Sequence, residues 1–264
     1  MKRATDCGFP FFTFDHFSDC PGLRHFVSSV DDRERSNLGF VEWADPLQVI
    51  ENRQRLAAAV GFPLQKLTIG QQTHSCNIAV VREKEAGSGA SDNALRIPST
   101  DALITNVKGV CLMVMTADCV PVLLYDPVKH AVAAIHAGWR GTVGGIVGQT
   151  LALMEKEYGT VPADVIAGIG PSIGKCCFEV GGEVAEAFTD RYGRIPALVE
   201  AGAREGKYQV DLWEANRLQL IMCGVPEKHI ETAGVCTFCS HNEFFSYRYD
   251  KGDTGRLGSG VMLV

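Results

Sequence analysis

The sequence predicts an α/β (α+β layered) fold, a mixed sheet with antiparallel neighbours flanked by helices. Three observations carry this reading. Residues 102 to 137 break into short apolar runs between turn signals, as strands buried on both faces do. Helical periodicity lies on either side of that block, so helices alternate with strand clusters. The connection "YDPVKHA" (Tyr125 to Ala131) is a hairpin turn, because Asp-Pro presets a turn and proline lacks a ladder donor.

From the N-terminus, Pro46 to Gly61 reads as a helix, with Val49, Arg53, Leu56 and Val60 spaced along it. "EAGSGASDN" (Glu85 to Asn93) is a flexible surface loop by composition. The strand runs are "ALITNV", "VCLMVMTA", "VPVLLYD" and "HAVAAIHA", broken at Lys108-Gly109, Asp118-Cys119 and Asp126 to Lys129. After Arg140 the period becomes helical: Val147, Leu151, Met154 and Tyr158 fall at helical spacing, and Gly159 stops the run. "DVIAGIG" (Asp164 to Gly170) returns to strand. "GGEVAEAFTDRYG" and "DLWEANRLQLIMCG" are amphipathic helices, the second opened by Asp211 as its N-cap. With no fixed-period repeat and no long linker, residues 1–264 are expected to form a single domain.

The 264 residues are 46 % hydrophobic and 21 % charged, the profile of a soluble globular protein. Folding at this length buries about 70–75 % of the surface of the unfolded chain, so disulfide staples are not required. A formal net charge of −6 argues against a nucleic-acid binder acting through the phosphate backbone, but leaves room for a local basic pocket. No run of about 18 apolar residues occurs, so no membrane span is expected. The opening "MKRATDCGFPFFTF" is interrupted by Asp6, Pro10 and Asp15 and is not a signal peptide. Ten cysteines in a long chain without a signal read as reduced thiols, and the expected location is cytoplasmic.

Three places put a thiol or imidazole at the end of an apolar strand or on an adjoining loop. They are "GQQTHSCN" with His74 and Cys76, "TADCVP" with Asp118 and Cys119, and "AAIHAGWRG" with His136. Strand ends on one edge of a sheet converge and hold ligands rigidly. Taken singly, each has a plain structural reading: a buried free cysteine is usually a small hydrophobe, and a loop histidine a hydrogen-bonder. His136 is hardest to read as filler, since a ring at a strand end needs a polar partner. Structural residue, base and ligand stay open for it. "CTFC" (Cys236, Cys239) is a lone Cys-x-x-Cys; a structural zinc wants four ligands, usually as two such pairs, and the other close pair is the vicinal Cys176-Cys177. Half of the expected spacing is missing. A His-x-Glu with Pro-Cys-x-x-Cys deaminase signature is absent. Seven histidines without a His-x-His pair cannot supply three or more copper ions. Gly-x-Ser-x-Gly is also absent, "GSGAS" and "GPSIG" being near misses.

The stretches "ENR", "QQTHS", "TADCVPVLLYDP", "AAIHAGWRGTVGGIV", "GPSIGKCCFEVG", "DLWEANRLQL" and "SYRYD…TGR", in that order, resemble the laccase-domain family. Its members were historically named polyphenol oxidases and are now described as purine nucleoside phosphorylases; bacterial members are also named peptidoglycan editing factors. The resemblance spans nearly the whole chain. It implies a fold related to the catalytic domain of the cytotoxic necrotizing factor toxins, a cysteine hydrolase fold. It implies phosphorolysis of adenosine, inosine or methylthioadenosine, with adenosine deaminase activity in some members, so purine nucleosides and phosphate are the expected partners. It also implies one zinc ion on His74, Cys119 and His136, copper being the second candidate. Two departures stand out. "HFVSSVDD" (His25 to Asp32) lacks the arginine and Gly-Gly pair usual there, and Tyr249 stands where an arginine is usual. Each is expected to remove a positive charge from the pocket rim.

One thiolate and two imidazoles suit zinc, and three protein ligands leave a fourth position open, as in catalytic sites. Phosphorolysis also needs an anion site, expected from the helix start near Gly141 and from Arg53 and Arg248 as guanidinium forks. Arg140 is expected in a structural ion pair behind the ligand. Asp118 reads either as a supporting carboxylate and proton carrier or as a turn residue satisfying backbone N–H groups. Two other readings stand beside the phosphorylase. One is a cysteine hydrolase or amidase acting on a small substrate such as a peptidoglycan precursor, with Cys119 as nucleophile and His136 as base. The other is a non-enzymatic, metal-bound interaction module. A monomer or homodimer is expected.

Overall fold

Two six-stranded sheets, rather than one, lie at the centre of the molecule. The structure is a computed structural model describing residues 1–4 and 8–264; Asp6, one of the breaks in the N-terminal apolar run, lies outside the described residues. In chain order the strands are β1 (Lys2–Ala4), β2 (Phe11–Thr13), β3 (Leu23–Ser28), β4 (Leu67–Ile69), β5 (Ile78–Val80), β6 (Ala102–Thr105), β7 (Cys111–Thr116), β8 (Val120–Asp126), β9 (Ala131–Ala137), β10 (Ile166–Ile169), β11 (Glu179–Gly181), β12 (Val199–Ala201), β13 (Lys207–Val210), β14 (Ile230–Thr232) and β15 (Leu257–Leu263). The first sheet has the order β1-β2-β3-β15-β7-β4 and the second β14-β10-β8-β9-β6-β5, with β11-β13-β12 as a small third sheet. Both large sheets are mixed: β4 joins β7, β5 joins β6 and β14 joins β10 in parallel, while the remaining pairs are antiparallel.

The strand period of two explains the layering. In the second sheet, Leu103, Leu123, Val132 and Ala134 point to a core shared with Leu112, Val114, Val261 and Leu263 of the first. Their neighbours Ile104, Val122, Leu124 and Ile135 point the other way, against helices α5 (Ile146–Tyr158) and α7 (Leu212–Met222). The outer face of the first sheet, with Leu67, Ile69 and Met113, packs on Leu56 and Ala57 of α3 (Pro46–Val60). The layers are therefore helix, sheet, sheet, helix. Each buried Leu, Ile or Val contributes about 1.5–3 kcal/mol. Apolar runs with no polar face say that both sides of a strand are covered, but not whether by a helix or by a second sheet.

Local expectations meet the structure closely where a cap or turn sets them. Asp45 caps α3 by accepting from Leu47 N, and Gly61 ends it at φ 88°. The β8–β9 hairpin closes at Asp126 and Ala131, and Asp126 Oδ1 accepts from Val128 N and Lys129 N. Asp211 caps α7 by accepting from Glu214 N. After His136 the helix is split into α4 (Trp139–Gly144) and α5, with left-handed Gly145 between them. The remaining helices are α1 (Asp15–Ser18), α2 (Arg33–Ser36) and α6 (Gly182–Tyr192). Among the described residues no helix is long and apolar enough to cross a membrane.

One expected loop is not a free surface loop. Within Glu85 to Asn93, Gly89 and Ala90 are buried, and their carbonyls accept from Arg53 Nη1 at 2.7 and 2.9 Å. Its glycines supply positive φ at 87 and 89 for a tight path over α3 rather than mobility.

Candidate metal centre and active site

The parts of the site arrive from three backbone segments. His74 sits on the loop after β4 at φ 59°, Cys119 in the β7–β8 connection, and His136 near the end of β9, opposite Pro121 of β8. Their ligand atoms all lie within 4.8 Å of one another. The His74 and His136 rings meet edge to face, with centroids 5.0 Å apart.

Asp101, just before β6, organises two of the three. Its Oδ1 lies 2.8 Å from His136 Nδ1 and accepts from His74 N at 3.0 Å. Its Oδ2 accepts from Thr73 N, Ser75 N and Ser75 Oγ at 3.1, 2.8 and 2.7 Å. A carboxylate so placed makes Nδ1 the protonated nitrogen of His136 and turns the Nε2 lone pair toward the site. Burial alone would raise the Asp101 pKa; His136 and Ser75 outweigh it and hold the carboxyl well below its usual range. Burial likewise opposes ionisation of Cys119, but the two imidazoles hold its thiol below the ordinary thiol range. Burial disfavours the His136 cation too, and the Cys119 and Asp101 charges pull its pKa above the usual value.

Gly138 presses on all three ligands. A Cβ there would stand 3.1 Å from His74 Cδ2, 3.2 Å from Cys119 Sγ and 3.8 Å from His136 Cε1. The space at the mouth of the N₂S set is thus kept open by the lack of a side chain. Two imidazoles and a thiolate converging on such a cradle fit a metal ion of the zinc type, with a fourth position left over.

Helix α4 is pinned behind this cradle. Gln219 Nε2 and Tyr192 Oη both donate to Thr142 O, and Asn216 Nδ2 donates to Thr142 Oγ1. This gives the polar positions of "DLWEANRLQ" their role: they lock the turn that follows His136.

The ligands open into a cavity of about 520 Å³, in the range of small-molecule sites. Ile173, Phe178, Met115 and Tyr247 form its apolar wall, and Arg96, Arg248 and Arg256 bring three guanidinium groups to it. Arg248 Nη1 donates to Cys177 O and Glu179 O, and its guanidinium lies over the Phe178 ring at 5.7 Å. Gln72, from "QQTHS", joins the His74 loop to β7 through a pair of bonds with the Met115 backbone at 2.7 and 2.8 Å.

Several expectations are corrected here. Arg53 does not line the cavity. Its guanidinium is fully buried and donates to the carbonyls of Leu38, Gly89 and Ala90, so it ties α3 to the 85–93 loop and has no face for phosphate. Asp118 lines the cavity at φ 84°, with both oxygens engaged: Oδ1 accepts from Thr237 Oγ1 at 2.6 Å and Oδ2 from Arg248 N at 2.7 Å. Those contacts reach residues 119 and 130 positions further along the chain, rather than the local backbone N–H groups of a turn. No residue of α4 lines the cavity, so the helix start near Gly141 does not supply its anion site. Arg140 is exposed and stacks on Trp139 at 4.4 Å instead of forming an ion pair. Neither departure lies on the cavity lining: Phe26 is in the core, and Tyr249 stacks on His241 at 3.6 Å.

Several site residues had no role in the sequence reading. Asp101 had a weak signal, an acid directly before an apolar strand. Arg256 and Tyr247 lay in "SYRYD…TGR", and Ile173 and Phe178 in "GPSIGKCCFEVG", without a role. Arg96 had no distinguishing pattern.

Residues 23–264 match the family model described as multi-copper polyphenol oxidoreductase laccase. The chain belongs to this family. It is 46 % identical over 216 residues to a purine nucleoside phosphorylase of Bacteroides thetaiotaomicron, covering 82 % of this chain and 80 % of that one. It is 39 % identical over 217 residues to adenosine deaminase RL5 of an unknown prokaryotic organism, covering 82 % of each. The crystal structure of YlmD from Geobacillus stearothermophilus superposes with a TM-score of 0.91 at 34 % identity, covering 99 % of this chain and 98 % of that one. The laccase-domain resemblance is therefore shown, and with it a mixed α/β fold of the YlmD type. The family description names copper chemistry, whereas the site itself offers two imidazoles and one thiolate for one ion.

Proposed function

We propose that the protein is a zinc-dependent purine nucleoside phosphorylase, with adenosine deamination as a side activity. The observation that carries this is one cavity holding the His74–Cys119–His136 set, an apolar wall and three guanidinium groups. A purine would pack against Phe178, Ile173 and Met115, and phosphate would take Arg96, Arg248 and Arg256, which hold a local positive field in a chain of net charge −6. Zinc held by His74, Cys119 and His136 would supply Lewis acidity to a reacting oxygen. Asp101 keeps His136 and the His74 loop in place. Asp118 acts on the reaction by positioning Arg248 and Thr237. In phosphorolysis a phosphate oxygen bonds to C1′ as the C1′–N9 bond breaks, and the purine leaves with that electron pair and takes up a proton. The names of the relatives support the reading. We further propose that residues 1–264 act as one unit located in the cytoplasm, as monomer or homodimer. Inosine incubated with labelled phosphate should yield labelled ribose 1-phosphate; label that stays in free phosphate while the protein holds its metal overturns the assignment.

One observation favours a second reading. Asp101, His136 and Cys119 also follow the order of an acid–imidazole–thiol triad, with Cys119 below the usual thiol range. Together with the expected relation to the toxin cysteine hydrolases, it supports an amidase with Cys119 as nucleophile. Alkylation separates the two: stoichiometric zinc that protects Cys119 from iodoacetamide counts against the free thiolate this reading needs.

A further inference from the structure

The fold brings Cys176, Cys177, Cys236 and Cys239 together, with all four sulfurs within 4.8 Å of one another. Sequence spacing gave only half of a four-cysteine motif. Backbone pairing supplies the rest. Ser172 and Cys236 form a parallel bridge; Ser172 N donates to Val235 O, and Thr237 N to Ser172 O, laying the loop after β10 beside the "CTFC" loop. The vicinal pair and the Cys-x-x-Cys then face each other.

We propose that these four cysteines hold a second metal ion, a structural zinc, separate from the His74–Cys119–His136 centre. At a Zn–S distance of about 2.3 Å, tetrahedral thiolates lie about 3.8 Å apart. The Sγ of Cys239 stands 3.8 Å from that of Cys176 and 3.4 Å from that of Cys177. These separations exceed the roughly 2.05 Å of a disulfide and leave no room for the sulfides of an iron–sulfur cube. Gly174 N donates to Cys236 Sγ at 3.3 Å, a bond that stabilises a thiolate. Four thiolates around one divalent ion leave no open position, so the site is structural rather than catalytic.

Its place explains what it does. Ile173 and Phe178, on either side of the vicinal pair, line the catalytic cavity. Thr237, inside "CTFC", donates to Asp118, and the Cys177 carbonyl accepts from Arg248. The ion would fasten two loops that form one wall of the cavity.

Metal analysis of protein purified without chelator tests this. Wild type is expected to carry close to two zinc ions per chain. Cys119→Ala/His136→Ala is expected to keep one, and the exposed-position variants Cys176→Ser and Cys239→Ser are each expected to keep one. Cobalt added to the Cys119→Ala/His136→Ala variant should give the intense thiolate charge-transfer bands of a tetrahedral four-sulfur site. If a serine variant does not fold, wild-type stoichiometry and the cobalt spectrum still decide. One zinc or fewer in wild type, full zinc in both serine variants, iron in place of zinc, or a disulfide among the four in unreduced peptide maps overturns the proposal.

Discussion

Asp101 Oδ1 lies 2.8 Å from His136 Nδ1, and the same carboxylate accepts the backbone N–H groups of Thr73, His74 and Ser75. One buried acid therefore orients two of the three candidate ligand residues. Asp101→Asn keeps the size but loses the charge and one of the accepting oxygens. Metal affinity is expected to fall about 10–100-fold, the usual effect of removing a carboxylate behind a ligating histidine. Chelator competition measures it; unchanged affinity would show that Asp101 only folds the loop.

Gly138→Ala places a methyl group 3.1 Å from His74 Cδ2 and 3.2 Å from Cys119 Sγ. The backbone there, at φ −66°, accepts alanine without strain. Metal affinity at the His74–Cys119–His136 set should fall while Tm moves by no more than a few degrees. Unchanged affinity in the alanine variant would show that this set tolerates the methyl group and does not need the glycine.

Arg53 and Arg256 should behave in opposite ways. Arg53→Ala leaves the carbonyls of Leu38, Gly89 and Ala90 without their donor, at about 3 kcal/mol or more, or a Tm drop of roughly 5–10 °C. Arg256→Ala removes a cavity guanidinium, so the KM for phosphate should rise several-fold, while Tm, through the lost bonds to Thr254 O and Gly255 O, falls less than in Arg53→Ala. Thermal melts and phosphate titrations of both variants check this; a raised phosphate KM in Arg53→Ala alone would reverse the assignment.

Stability should also carry a mark from His25. Burial holds this imidazole down to about 4, below its ordinary 6.5, and its Nε2 accepts from Phe14 N at 2.8 Å. The unfolded chain takes up a proton near pH 6.5 that the folded chain refuses until about pH 4. The contribution is complete above pH 6.5 and is lost as the pH falls through that window, about 3 kcal/mol in all. Between pH 7 and pH 4 the unfolding free energy of wild type should fall by about that much more than that of His25→Gln. Parallel curves would contradict it.

What the sequence made legible follows physical range. The turn at Asp126, the stop at Gly159 and the cap at Asp211 depend on neighbours a few residues away, and the structure has them where they were read. Strand ends and adjoining loops marked three candidate places, the family resemblance implied the choice of His74, Cys119 and His136 among their residues, and in the structure these three meet. The division of the strands into two sheets was not, since the first sheet forms only when β3 pairs with β15 from the far end of the chain. The same long range hid Asp101, Arg96 and the meeting of Cys176-Cys177 with "CTFC". Arg53 misled because a buried guanidinium and a ligand-binding one look identical in sequence. What separates them is three backbone carbonyls.

Adenosine turnover by the zinc-loaded protein, with phosphate titrated from zero, tests the central claim most directly. Adenine and ribose 1-phosphate should form in equal amounts, rise with phosphate, and vanish in Cys119→Ala. Adenine formed at the same rate without phosphate, or undiminished in Cys119→Ala, would contradict a phosphorylase built on the His74–Cys119–His136 centre.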